Sequence, residues 1–380
     1  MKIAVTSAFL GKVLRGCETW SQDLAAELHR RGMDVTLFQG GGPSDVAYAR
    51  YIPCPDHTHP FWKYMTTLTR HGLWRYGLGS PLHLQQAVFG RRVARELRDG
   101  RFDIIHTQDA GTALVLERAR NAGRHPAKVI LANGTEEPFE FLSQFEHVQE
   151  LAPYYLETDR KNGLSPDREW FAIPNFVDCE VYKPGNRAQA RQKFGIPQDR
   201  FIVFDAAALK LTHKRLDWLA REVATARREY PEIMLIVAGA VTSETPRVEQ
   251  AVHKHLGEDA WILKNVPRCN MPDLYRTADL FAHSALTEMF AIVLLEAGAT
   301  GLPLRGHKFP VIEWVIGTGG VCVDMEKPGE LARSIIESLE DPVLRAQRGS
   351  NARDLVVKQF DKIRVVDQIV AMYEAVLKRR

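Results

Sequence analysis

Two glutamates, Glu288 and Glu296, stand eight positions apart around the apolar run Phe290-Ala291-Ile292-Val293-Leu294-Leu295. Glu296 falls inside that run, where a carboxylate without a partner costs on the order of several kcal/mol or is forced to take up a proton. A partner is therefore required, either a structural donor or a ligand. Further back, Lys210, His213, Lys214 and Arg215 follow the apolar stretch at 201–207. Cations at that place can neutralise a diphosphate, whose departure in a transfer reaction builds negative charge; an ordinary surface cluster is the plainer reading. A helix starting near Phe290 would aim the free amides of Phe290, Ala291 and Ile292 at an anion, helped by the macrodipole. Glu296, two turns in, would be repelled by phosphate and suits neutral hydroxyls such as those of a ribose. Eight positions of an ideal helix amount to ~80° of net rotation. If Glu288 lies in the loop before the helix, it can reach a sugar while Glu296 reaches the ribose.

These groups need a scaffold. Residues 2–7 read as a buried strand, followed by a loop with Gly11 and Gly16. A helix over 18–31 then carries Trp20, Leu24 and Leu28 on one face and stops at Gly32, and 34–38 is the next strand. Strand, glycine loop, helix and strand open a doubly wound α/β domain, with ligands expected at the carboxyl ends of the strands. The loop is not G-x-G-x-x-G and no acidic residue closes the second strand, which argues against a dinucleotide. Gly16 lies where a phosphate can approach backbone amides, or where a turn simply needs glycine. Residues 101–106 form a strand ending in His106, a position that suits a core histidine or a site residue. Another strand spans 129–133, whereas 136–155 has no readable period. Residues 171–185, with Pro174 and Pro184, read as a hinge. Strands then recur at 201–207, 233–238, 261–263, 278–282, 302–304 and 321–323, with helices at 216–230, 330–339, 342–359 and 363–378. Two α/β domains of similar size are the expectation.

The chain has 380 residues, 45% apolar and 26% charged, with a formal charge of +3. That is a globular composition whose charge does not point to nucleic acid. The scattered Cys17, Cys54, Cys179, Cys269 and Cys322 suggest free thiols in a reducing compartment. The apolar start is too short for a signal peptide, and no run nears the ~18 apolar residues of a membrane span; a cytoplasmic location is expected. The stretch 61–101 carries Lys63, Arg70, Arg75, Arg91, Arg92, Arg95, Arg98 and Arg101 against Glu96 and Asp99, with Phe61, Trp62, Tyr64, Trp74 and Tyr76 interleaved. It suits an anionic membrane surface, an acidic acceptor, or a solvated helix face over ordinary core aromatics.

Taken in order, the landmarks resemble glycosyltransferase family 4, retaining enzymes of the GT-B fold. They are the first strand, glycine loop and helix, then Phe102-Asp103-Ile104-Ile105-His106, Ile173-Pro174-Asn175-Phe176-Val177-Asp178 with Pro184, and the Lys214 loop. Val237-Ala238-Gly239 and Met271 with Leu274-Tyr275-Arg276-Thr277-Ala278-Asp279-Leu280 follow, and Glu288 to Gly301 matches the family's Glu-x7-Glu motif ahead of Gly301-Leu302-Pro303. The resemblance fades at about 40–101 and 136–170. It implies two Rossmann-like doubly wound domains facing a cleft: 1–175 for the acceptor, 176–360 for the nucleotide-sugar donor, and a helix at 361–380 returning to the first domain.

The resemblance also implies roles. Gly16 and Lys214 would meet the donor diphosphate and Glu296 the ribose. Glu288 would contact the transferred sugar, with the amides of Phe290, Ala291 and Ile292 on sugar or phosphate. His106 would face the sugar's C6 side, and the base would lie near Val266. Lys210 or Arg215 would supply the charge of an arginine that is usual in the family where this chain has Ala208. Metal and other cofactors are not expected. The partners implied are a nucleotide-sugar donor and an acceptor whose identity, like the oligomeric state, the sequence does not indicate. A sugar-nucleotide epimerase of the same fold and a non-catalytic nucleotide-sugar binder are the alternatives. The chain also departs from the family's pattern at two places. Met289-Phe290-Ala291 replaces Gly-Phe-Gly, so a start with φ < 0 is expected at Ala291; and His283 stands where proline is common.

Overall fold

Runs of apolar residues without alternation make strands buried on both faces, which assemble into parallel sheets flanked by helices. The computed structural model, which describes residues 1–12, 16–61, 64 and 80–378, contains two such sheets. They belong to two compact units, Met1–Asn175 with Val365–Arg380, and Phe176–Arg364.

In the first unit the strands are β1 (Lys2–Ser7), β2 (Asp34–Gln39), β3 (Ala49–Tyr51), β4 (Ile104–Thr107), β5 (Lys128–Asn133), β6 (His147–Glu150) and β7 (Glu169–Ala172). They lie in the order β3-β2-β1-β4-β5-β6-β7, all parallel. Helix Gly16–Arg30 buries Trp20, Leu24 and Leu28 as its period requires. Gly16, exposed, opens that helix. Helix Pro81–Gly100 starts at Ser80, whose hydroxyl accepts from the His83 amide, with proline in its first turn. It buries Phe89, Val93 and Leu97 in the core and leaves Arg91, Arg92, Arg95 and Arg98 exposed. Lys63, Arg70, Arg75, Trp62, Trp74 and Tyr76 lie outside the described residues.

The second unit repeats the plan. Its strands are β8 (Phe201–Ala206), β9 (Ile233–Gly239), β10 (Ala260–Lys264), β11 (Leu280–Ala282), β12 (Leu304–His307) and β13 (Gly320–Val323). Their order is β10-β9-β8-β11-β12-β13, again all parallel. Both orders reverse direction once, at β1/β4 and at β8/β11, the crevice where doubly wound sheets take ligands. Both units are thus Rossmann-like. Helix Lys362–Lys378 contributes Val365, Val366, Ile369 and Tyr373 as buried side chains.

The sequence reading is corrected at several elements. The unreadable stretch holds helix Phe139–Leu142, β6 and the start of helix Pro153–Lys161. The loop expected before Pro60 contains β3, and the segment read as a hinge begins inside β7. The helix expected from Phe290 begins at Ile292 and runs to Ala299.

Candidate active site

The loop after β8 carries Lys214 and is held from both sides. On one side, the Glu244 carboxylate accepts from the amides of Leu211 and Thr212 at 3.1 and 3.0 Å, and from the Thr212 hydroxyl. On the other, the Ser284 hydroxyl donates to the Lys214 carbonyl at 2.6 Å. Gly239, at the end of β9, lets the chain pass: a Cβ there would stand 1.7 Å from the Ala207 carbonyl oxygen. Four described non-glycine residues have positive φ, and three of them, His213 (70°), Arg215 (49°) and Asn265 (50°), sit in loops at this edge of the second sheet. Such backbones cost ~1–3 kcal/mol each and persist only where surroundings over-determine them.

That bracing delivers the Lys214 ammonium to Glu288, with which it forms an ion pair at Oε1. The same oxygen lies 2.8 Å from His283 Nε2 and 3.6 Å from His213 Nε2. The other His283 nitrogen, Nδ1, is 3.1 Å from Oδ1 of Asp205 on β8. His283 and Asp205 are fully buried, whereas the Glu288 and Lys214 side chains are 11% and 18% exposed. Burial alone would raise the Glu288 carboxyl; hydrogen bonds from His213 and His283 and the charges of His283 and Lys214 outweigh it and hold the group well below the usual carboxylate range. Burial would likewise lower His283, yet the Asp205 charge and the two carboxylate hydrogen bonds push it up to about 9.

Glu296 has its partner too. The Tyr275 hydroxyl, on helix Met271–Arg276, donates to its Oε2 at 2.6 Å. The Tyr182 ring packs edge-on against Tyr275 at 5.8 Å. Burial first, and then the Glu296 charge, raise both phenols. The carbonyl of Tyr182 is in turn gripped by Arg353, which also binds the Ala299 carbonyl at the end of the Glu296 helix. Glu296 is neither deeply buried nor fully exposed.

Other sequence candidates fall differently. His106 is not on a ligand-facing surface: it is 0% exposed, wedged between Trp20 at 4.9 Å and Tyr373 at 5.5 Å. Its Nδ1 is 2.7 Å from the Tyr373 hydroxyl, and burial pushes it down to about 3. It is a neutral core histidine, because the C-terminal helix covers the face of β4 on which it stands. The Ile292 amide is not available to an anion either, since it donates to the Phe290 carbonyl at 3.1 Å. Ala291 has φ −83° and so carries no left-handed strain. The Phe290 ring is buried against Trp314 and Phe360. Arg215 donates to the Met325 carbonyl at 2.8 Å and stacks on Trp218 at 4.8 Å. Lys210 is exposed, and Val266 is half-buried just after Asn265. Asp205 was missed in the sequence. Its signal is a lone carboxylate in the strand Phe-Ile-Val-Phe-Asp-Ala, which cannot be buried unpaired.

A cavity of about 430 Å³ lies at the opposite, amino-terminal edge of the second sheet, lined by Arg187, Arg191, Arg200 and Asp279 among others. Its arginines are already engaged: Arg187 and Arg191 pair with Asp279, and Arg200 with Asp259. The carboxyl edge is where partly exposed opposite charges meet at a switch point. Among the described residues no cluster of three or more His, Cys, Asp or Glu could hold a metal ion, and no helix is long and apolar enough to cross a membrane.

Comparison with known proteins matches the family description "Glycosyl transferases group 1" to residues 186–355 and "Glycosyltransferase Family 4" to residues 14–171. D-inositol 3-phosphate glycosyltransferase 1 of Catenulispora acidiphila is 27% identical over 234 residues, 57% of this chain and 54% of that protein. N-acetyl-alpha-D-glucosaminyl L-malate synthase of Bacillus anthracis is 28% identical over 218 residues, 57% of this chain and 56% of that protein. The chain thus spans about half the length of these curated relatives. Among solved structures, sucrose-phosphate synthase of Thermosynechococcus elongatus aligns over 100% of both chains with a TM-score of 0.80 and 17% identity. Anabaena Alr3699/HepE in complex with UDP and glucose aligns over 99% of this chain and 100% of that one, with a TM-score of 0.76 and 18% identity. These likenesses establish the fold, a pair of Rossmann-like domains of the GT-B type.

Proposed function

The chain belongs to glycosyltransferase family 4, and from that premise we propose that it moves a sugar from a nucleoside diphosphate to an acceptor hydroxyl with retention at the anomeric carbon. The observation that carries this reading is the Lys214–Glu288 ion pair at the β8/β11 switch point, next to a Glu296 oriented by Tyr275. In the reaction Lys214 turns to the diphosphate, Glu296 accepts from the ribose hydroxyls, and Glu288 holds the hydroxyls of the transferred sugar. The base sits by Val266. As the bond from the anomeric carbon to the phosphate oxygen breaks, the acceptor oxygen bonds to that carbon on the same face. The acceptor proton passes to the departing phosphate oxygen. Lys214 stabilises the charge that builds there, as preorganised charges do in group transfer, and the reaction runs without a metal ion.

The acceptor belongs to glycan, glycolipid or glycoside synthesis. The protein works in the cytoplasm, at the inner face of a membrane. Arg91, Arg95 and Arg98, at i, i+4 and i+7 of helix Pro81–Gly100, support that placement, because they form one exposed basic stripe suited to anionic headgroups. Flotation with anionic vesicles, abolished by salt and by replacing these arginines, tests it; absence of binding at low salt rejects it.

The decisive experiment is a thermal-shift screen against UDP-, GDP-, ADP- and dTDP-sugars, since a bound donor stabilises in proportion to its affinity. UDP-glucose comes first, because HepE is known in complex with it. One class should stabilise the chain and, with an acceptor, yield a product that keeps the donor's anomeric configuration. No stabilisation by any class, or an inverted product, overturns the reading.

A further inference from the structure

His283 follows β11 directly, and its ring lies between the carboxylates of Asp205 on the neighbouring strand β8 and of Glu288. Each ring nitrogen faces a carboxylate oxygen, so each donates and the ring is an imidazolium. Asp205, His283, Glu288 and Lys214 therefore form a chain of alternating charge, fully buried at one end and reaching solvent at the other. The geometry does not treat the two cations alike. Lys214 sits on a loop, at the end of a flexible four-carbon stem. His283 is clamped, its ring held by two hydrogen bonds and its amide donating to the Arg305 carbonyl at 2.9 Å.

A ligand that draws Lys214 away would leave Glu288 largely buried with one charged partner fewer, and a buried carboxylate so stripped tends to take up a proton or swing out. We infer that His283, anchored on Asp205, is a positioning residue that keeps Glu288 ionised and in one orientation while Lys214 is handed from Glu288 to the diphosphate of an incoming nucleotide sugar. This rests on the reading that Lys214 meets the diphosphate and Glu288 the sugar. The charged and titratable groups around the ring are Asp205 from β8, Glu288 from the loop after β11, and His213 and Lys214 from the loop after β8. Tyr275 acts electrostatically on Asp205. Arg305 on β12 turns its guanidinium onto Ser334. Of the two carboxylates on the ring, Asp205 contributes most to keeping it protonated.

The test is Asp205→Asn, with His283 followed by ¹⁵N NMR in the full chain and assigned by its loss in His283→Gln. In the wild type the His283 midpoint should lie near pH 9 and move further up when UDP is added, because the Lys214 cation leaves and a diphosphate arrives. In Asp205→Asn it should fall towards the ordinary imidazole value of ~6.5, so that at pH 8 only about one ring in thirty carries the charge. The variant's kcat should then be roughly 30-fold down at pH 8 and close to wild type at pH 6, with the donor KM little changed at either pH. A merely structural role predicts a defect equal at both pH values. An equal defect, an unmoved midpoint in Asp205→Asn, or, in protein shown to bind UDP, a midpoint indifferent to it overturns the inference. If wild-type protein binds no nucleotide at all, the proposed function falls and the handover with it, whereas nucleotide binding with an indifferent midpoint overturns the handover alone. Should Asp205→Asn fail to fold, the UDP-induced shift in the wild type still decides.

Discussion

The Tyr275 hydroxyl donates to Glu296 Oε2 across 2.6 Å, from a phenol that is itself fully buried. A carboxylate in an apolar helix thereby gains a donor that orients it, and the phenol does so without neutralising it. Removing the phenol oxygen by Tyr275→Phe keeps the packing and releases the carboxylate. Hydrogen bonds to charged groups contribute ~1.5–3 kcal/mol, and because the rest of the Glu296 surroundings stays, nucleotide affinity is expected to fall roughly tenfold. Isothermal titration with the nucleotide identified in the donor screen measures it. An unchanged affinity would remove Tyr275 from the site and weaken the ribose role of Glu296.

His106 should behave as a core residue. Tyr373→Phe removes the hydroxyl 2.7 Å from its Nδ1, and a buried polar atom left without its partner costs ~1–3 kcal/mol. The first unit should therefore melt several degrees earlier, by ~2–4 °C per kcal/mol for a unit of this size. Nucleotide affinity should stay within a factor of two. Since His106 is held neutral, its pKa down to about 3 through burial, it should contribute no limb to an activity profile between pH 5 and 9. Calorimetric melting and a pH–rate profile check the two statements; a lost limb in His106→Gln with unchanged melting would restore the site role expected from the sequence.

A third prediction concerns Glu150 at the end of β6, which is fully buried beside Asp159 and accepts from the Asn133 amide at 3.0 and 3.2 Å. Burial first, and then the Asp159 charge, raise its carboxyl above the ordinary range. The sign follows from linkage: the folded state binds the proton more tightly than the unfolded chain, so stability falls as pH rises beyond the usual carboxylate pKa of ~4.3. Glu150→Gln keeps an acceptor for Asn133 and removes the ionisation. Its melting temperature should match wild type near pH 4 and exceed it increasingly up to pH 8. Parallel melting curves across that range would contradict the assignment.

The two α/β units were legible because their central strands are unbroken apolar runs, such as Phe201–Ala206 and Ile233–Gly239. β6 was not, because His147, Gln149 and Glu150 are polar residues buried inside a four-residue strand, and hydropathy cannot distinguish that from a loop. Lys214 and Glu288 were each singled out by residue type and place, but their ion pair, across 74 positions, was not. The Asp205–His283 contact spans 78 positions and follows only from β8 and β11 being neighbours. His106 misled for the same reason: Tyr373, which covers it, lies 267 positions away. Local pattern reveals what a strand end could offer, and only the tertiary fold reveals what lies over it.

The loop that carries Lys214 is under strain. Its strained residues, His213 and Arg215, flank the lysine on both sides, and the Ser284 hydroxyl fixes the Lys214 carbonyl between them. Ser284→Ala deletes that tie without touching the ammonium or Glu288. A strained backbone relieved of one restraint relaxes towards ordinary φ values, and the ammonium then spends less time where charge develops. Because misplacement by about 1 Å can cost ~100-fold in rate, while the Glu244 brace remains, an intermediate loss of about tenfold in kcat is expected. Ser284→Thr, which keeps the hydroxyl, should restore most of it. Adding Gly at 213 (His213→Gly) removes part of the strain at its source, so the double variant His213→Gly with Ser284→Ala should lose less than the two single effects combined. Steady-state kinetics on the four proteins measures the coupling; strictly additive losses would mean that the strain at His213 plays no part in holding Lys214.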